Sequence, residues 1–172
     1  MRRSLLAAVA LLAACKPRPE PHPPAGSAEI ARMFPLGRDS TDSVLNAPRL
    51  VTDPSVVVFW LRAADTISED DRTGAFDDLR YYTEQVLPAL DANDIDVVAT
   101  RAETLFVKLP NGQRRVVVLS GLDYPYGYVL VDPGGPERIL TGVYSDDELL
   151  DELRAYFDLP DDSTDSEPRT TT

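Results

Sequence analysis

Two hydrophobic rhythms divide the chain. "VVVFWL", Val56 to Leu61, is an unbroken β-branched and aromatic run, the pattern of a strand covered on both faces and therefore central in its sheet. From Glu69 to Ala92 the spacing becomes helical: Phe76, Leu79, Thr83, Val86, Leu87 and Leu90 share one side, while Asp77, Asp78, Arg80, Glu84 and Gln85 fall largely on the other. Ser68 and Asp71 have the spacing of a capping box, and Glu69 to Asp71 suit the positive end of a helix. Pro88 is expected to kink the last turns. Ile95 to Thr100 follows as a second strand, and strand, long helix, strand predicts a parallel right-handed crossover. "TLFVKLPNGQRRVVVL" predicts a hairpin turned at Asn111 and Gly112, both able to take positive φ. "YGYVLVDPGGPERILTGV" predicts another, turned by Pro133 to Pro136. A last helix opens on the capping box of Ser145 and Glu148, with Leu149, Leu150, Leu153, Tyr156 and Phe157 as its buried stripe.

Ahead of this patterned region the chain changes character. Arg2 and Arg3 precede an apolar segment, Ser4 to Ala14, which ends in small residues. That is the plan of a secretory signal peptide. It falls short of the roughly 20 apolar residues a spanning helix needs. Leu12, Ala13 and Ala14 before Cys15 resemble the lipobox of bacterial lipoproteins. The resemblance implies a diacylglyceryl group, with palmitate among its acyl chains, in thioether linkage on the Cys15 sulfur, and cleavage that makes Cys15 the new N-terminus. Two or three chains together hold a membrane firmly, since each buried methylene contributes about 0.8 kcal/mol. Prolines at 17, 19, 21, 23 and 24 predict an extended, hydrated tether. A short helix is expected at Ala28 to Met33, with an irregular stretch after it. The organisation read from the sequence is therefore a signal peptide over 1–14, a lipidated tether over 15–48, a folded domain over 49–159 and a disordered acidic tail over 160–172.

Charge and inventory narrow the chemistry. Without Arg2 and Arg3 the chain holds 15 basic against 29 acidic residues, a formal charge of −14. Such a surface repels phosphate backbones and anionic lipid heads, so no nucleic-acid partner is expected and membrane contact is assigned to the lipid, not to a basic patch. Cys15 is the sole cysteine and His22, in the tether, the sole histidine. Disulfides within the chain, dithiol redox chemistry and Ser-His-Asp, Cys-His or His-rich zinc sites are thereby excluded. The acidic clusters Glu69 to Asp71, Asp146 to Glu148 and Asp161 to Glu167 suit helix N-termini or a solvated tail. None has the ligand spacing and central glycine of a calcium loop. No metal and no cofactor is expected. Gly134 and Gly135 lie in a hairpin and do not form a phosphate loop.

The order strand, helix, strand, hairpin, terminal helix resembles the thioredoxin-like fold over Val51 to Leu159. "VVVFWL" is similar to that family's first core strand, and "DYPYGYVLVDPGG…ILTGVYSDDELLDEL" to its loop proline, hairpin and last helix. The resemblance implies a mixed α/β sheet flanked by helices; another mixed α/β or α+β sheet with two hairpins is the alternative. It places Ala64 and Ile67 where the family carries its Cys-x-x-Cys dithiol, so the redox centre is missing. It makes Pro125 the counterpart of the family's cis-proline. A hairpin at Thr104 to Leu119, where the family has a helix, is a departure. The resemblance also gathers Trp60, Arg62, Asp65, Tyr124, Pro125 and Tyr126 into a candidate binding cleft at the former redox end, with Trp60 expected in the core. The function expected is that of an exported lipoprotein of the bacterial cell envelope, its domain facing the periplasm or outer surface and binding or scaffolding a protein or peptide without catalysis. The alternatives are a holdase-type chaperone and an enzyme using carboxylate or tyrosine chemistry.

Overall fold

The computed structural model describes residues 43–160. The expectations for the signal segment, Cys15, the tether, the helix at Ala28 to Met33 and the tail after Pro160 lie outside the described residues. Within them the chain runs α1 (Ser43–Asn46), β1 (Arg49–Val51), β2 (Ser55–Trp60), a 3-10 turn (Arg62–Thr66), α2 (Glu69–Ala92), β3 (Asp96–Thr100), β4 (Thr104–Lys108), β5 (Arg114–Val118), β6 (Tyr126–Val131), β7 (Arg138–Thr141) and α3 (Asp146–Phe157). The protein is a mixed α/β fold. Its larger sheet has the order β3-β2-β6-β7, with β2 parallel to β3 and antiparallel to β6. A smaller sheet has the order β1-β4-β5, with β1 parallel to β4 and β4 antiparallel to β5.

Every residue of β2 is buried, because its two faces serve two cores. Side chains alternate across a strand. Val56, Val58 and Trp60, with Tyr128 and Leu130 of β6, face Leu79, Val86, Leu87 and Leu90 of α2 and Leu149 and Leu153 of α3. Val57 and Phe59, with Val129 and Val131 of β6, meet Val51, Leu105, Val107 and Val117 of the small sheet and Leu119 directly after it. The domain is thus three layers: helices, larger sheet, smaller sheet. The hairpin at Thr104 to Leu119 supplies the third layer, covering a face that would otherwise need a helix.

Local chemistry fixes the element ends. The Ser68 hydroxyl oxygen accepts from the Asp71 amide at 3.3 Å, and Ser145 with Glu148 forms a reciprocal capping box. α2 continues through Pro88 to Ala92. In the β4–β5 turn only Gly112 adopts positive φ, at 83°; Asn111 instead uses its side-chain carbonyl to accept from the Gln113 amide at 2.9 Å. The turn thereby divides between a left-handed glycine and an asparagine side chain, where the sequence allowed both residues positive φ. The β6–β7 turn places neither Gly134 nor Gly135 in the left-handed region. There Asp132 accepts the Gly134 amide on its side chain at 3.0 Å and the Gly135 amide on its carbonyl at 2.9 Å. The fold also begins before position 49: Leu45 is fully buried in the helix-side core, and its carbonyl accepts the Arg101 amide at 2.8 Å.

Cross-links between layers are polar as well as apolar. Arg115 of β5 pairs with Glu137 at 2.5 Å and donates to the Gly135 carbonyl at 2.6 Å, joining the small sheet to the β6–β7 turn. The Tyr156 hydroxyl donates to the Pro136 carbonyl at 2.8 Å and accepts the Asp132 amide at 2.9 Å, joining that turn to α3.

Gly127 in β6 has φ 145°, and a Cβ there would stand 2.1 Å from the Leu140 carbonyl oxygen. Gly127→Ala is expected to lower stability by more than about 2 kcal/mol, through both backbone conformation and this clash. Urea unfolding followed by circular dichroism measures it. Hydrogen bonds from the backbone and side chain of Ser145 hold the Glu148 carboxyl below its ordinary pKa. With a depressed folded-state pKa, its stabilisation is complete above the unfolded value and disappears as pH falls through the folded one. Glu148→Gln should remove that acid-sensitive component, flattening stability against pH on the acid side in urea midpoints.

Candidate functional site

The carboxyl ends of β2 and β3 meet the loop before β6, and there the candidate residues assemble. The Leu61 amide donates to the Pro125 carbonyl at 2.8 Å, fastening the Tyr124–Tyr126 loop to the exit of β2. Trp60 and Tyr126 are register partners and stack, with ring centroids 5.0 Å apart and planes 19° from parallel. Phe76 of α2 meets Trp60 edge-on at 5.0 Å, and Tyr124 lies 5.9 Å from Tyr126. The four rings form a ladder from interior to surface: Trp60 is only 2% exposed, whereas Tyr124 is 52% exposed. Such ring pairs contribute about 0.5–1.5 kcal/mol each beyond area burial. Trp60 is therefore core, as expected, and Tyr124 presents the ladder's outer face. Gly142 has φ 94°, and a Cβ there would stand 3.7 Å from the Tyr124 ring. No peptide bond among the described residues is cis, so Pro125 differs from the cis-proline that the family resemblance implied.

The 3-10 turn carries Arg62 and Asp65 at the mouth of this ladder. Asp65 divides its carboxylate: Oδ1 accepts from Trp60 Nε1 at 3.3 Å, and Oδ2 pairs with Arg101 Nη2. Arg101, directly after β3, was not among the residues picked out from the sequence. Its side chain is only 7% exposed, and its Nε has no hydrogen-bond partner among the described residues. An arginine following a strand reads as surface charge. The signal that could have found it is its place between Thr100 and Ala102, at the end of a core strand, where both neighbours are buried. A cavity of about 360 Å³ opens beside it, lined by Asn46, Pro48, Arg62, Arg101, Ala102, Glu103 and Thr104. Arg62 is exposed and makes no ion pair with the described residues.

Ala64 is fully buried and Ile67 half-buried at the two positions matched to the missing dithiol. Burial chiefly, then the neighbouring Tyr124 and Asp71, push the Tyr126 hydroxyl above its ordinary pKa. That is the wrong direction for a tyrosinate base. Tyr128 is shifted the same way by burial, its hydroxyl 3.1 Å from Thr83 Oγ1. The described residues hold no group of three or more histidine, cysteine or carboxylate side chains arranged for a metal ion. What the arrangement offers is an aromatic face, the Arg62 guanidinium without an ion pair among the described residues, and a cavity backed by a second guanidinium.

No family model, no curated protein and no solved structure matches the chain.

Asp65 compensates a buried charge, so removing it alone should cost about 3 kcal/mol, in the range seen when one partner of a buried pair is deleted. Asp65→Ala is expected to unfold at lower urea concentration than the wild type. Asp65→Ala combined with Arg101→Met should recover much of the loss, since no unpaired charge remains. A double-mutant cycle on unfolding midpoints measures the coupling.

Proposed function

We propose that this protein is a non-catalytic binding module, exported and held at the bacterial envelope membrane by lipid on Cys15, with an extended protein or peptide segment as its ligand. The observation that carries the reading is the Tyr124–Tyr126 loop. Its outermost ring is half exposed on a rigid aromatic stack, beside a turn whose Arg62 is free of ion pairs among the described residues. Rigid aromatic surface with one guanidinium is favourable for peptide recognition, because little conformational entropy is lost when the contact forms. The cavity beside Arg62 and Arg101 suits a ligand carboxylate at the end of such a segment. The order of the four-stranded sheet, with helices on one face, supports a thioredoxin-like ancestry for this end of the domain. Ala64 and Ile67 leave it without a dithiol, and the raised tyrosine pKa values speak against the enzymatic alternative.

The test is cross-linking of the intact protein in its native envelope, comparing wild type with Tyr124→Ala. Tyr124 lies at the outer end of the stack, so its removal should leave the unfolding midpoint within about 1 kcal/mol of wild type. One dominant captured partner, lost with Tyr124→Ala and with Arg62→Glu, is the expected result. Capture of many unrelated chains would point to a holdase, and capture unchanged by both substitutions would overturn the site.

A further inference from the structure

The outer face of the small sheet is apolar, basic at one end and free of acids. Leu50, Phe106 and Val116 are register partners across β1, β4 and β5 and form one row. Val118, opposite Thr104, extends it, and Lys108 opposite Arg114 closes its other end. Leu50, Val116 and Val118 are each about half exposed. The three strands carry no acidic residue; of their four basic ones, Lys108 and Arg114 stand on this face, while Arg49 and Arg115 share the register rows of Leu105 and Val107 and Arg115 is paired with Glu137. On the opposite side of the domain, α2 and α3 carry twelve acidic residues against three arginines. The strongly negative net charge therefore conceals an electrical polarity, helix layer negative and small sheet positive.

We infer that the outer face of the β1-β4-β5 sheet docks on the surface of an anionic lipid bilayer, setting the domain down with its helices facing away. Charge polarity of this sense orients a molecule over a negative surface: the sheet is attracted and the helix layer repelled. Apolar side chains in the middle of the face enter the headgroup boundary, while Lys108 and Arg114 meet lipid phosphates. Size argues against a second copy as the occupant. Three strands of at most five residues cover roughly 240 Å², far below the roughly 800 Å² per partner of a stable protein interface. So small a face is sufficient as a second contact for a protein already tethered, where the local concentration of membrane is high. This step rests on the lipid anchor proposed above. The tether permits this orientation: residues 15–42 lead into Ser43, six residues before β1, and an extended chain of that length reaches at most about 100 Å.

The experiment places a photoreactive benzophenone side chain at position 116 in one variant and, as control on α2, at position 81 in another, Tyr81 being equally exposed. Each protein is examined on vesicles of phosphatidylethanolamine and phosphatidylglycerol in two preparations: purified with whatever lipid cells attach, and as residues 15–172 coupled through the Cys15 thiol to a maleimide lipid. The mass of the Cys15 fragment from the first reports the natural anchor, and the second tests docking whether or not that anchor exists. Position 116 should capture lipid at least about fivefold more than position 81, and Lys108→Glu with Arg114→Glu should bring it to the control level, each basic residue near an anionic surface being worth about fivefold. Added salt should act in the same direction. Equal capture at the two positions, or capture at 116 of protein in place of lipid, would overturn the inference.

Discussion

Burial of β2 on both faces is the constraint from which the rest follows. A strand reading Val-Val-Val-Phe-Trp has no side that tolerates water, so the fold must supply two covers. The helix cover comes from α2 and α3, whose amphipathic stripes meet Val56, Val58 and Trp60. The second cover is the β1-β4-β5 sheet over Val57 and Phe59. Each cover has only its inner face committed, and the uncommitted surfaces carry the character of the protein: acidic on the helices, apolar and basic on the sheet.

The same strand positions the candidate binding end. Trp60 is its last residue, buried by Phe76 and Tyr126, and its indole N–H reaches Asp65 on the turn that follows. Asp65 in turn holds Arg101 at the end of β3, so the two parallel strands are tied where they open onto solvent. Open α/β sheets characteristically bind ligands outside the carboxyl ends of their parallel strands. Here that location presents Tyr124, Arg62 and a cavity, with the nearest candidate nucleophile, Tyr126, pushed toward its neutral form.

Much of the fold was legible because hydrophobic period and capping chemistry are local. The stripe of α2, the serine caps at Ser68 and Ser145 and the strands of both hairpins appear where the pattern places them. The partnering of the first hairpin was not legible. Thr104 to Val118 alternates well enough to be a strand pair, but nothing local says that it leaves the main sheet to join Arg49–Val51, three residues too short to be read as a strand. Within the site, the aromatic members could be gathered by resemblance, since the strand and loop carrying them have a family pattern. Arg101 could not be gathered, because a charged residue after a strand is ordinarily solvated and its burial depends on Asp65, thirty-six positions away. The cis geometry implied for Pro125 also failed to carry over: without a dithiol at Ala64 and Ile67, that resemblance does not dictate the loop's backbone.

The central claim, that β2 is sandwiched by two covers of equal structural standing, is tested most directly by amide hydrogen exchange on the intact chain, residue by residue. The account predicts that the amides of β2, β6 and β4 share the slowest rates and the same denaturant dependence, because exposing either face of β2 requires global unfolding. Fast exchange of β4 and β5 with β2 still fully protected would show the small sheet opening on its own, and would contradict the three-layer core.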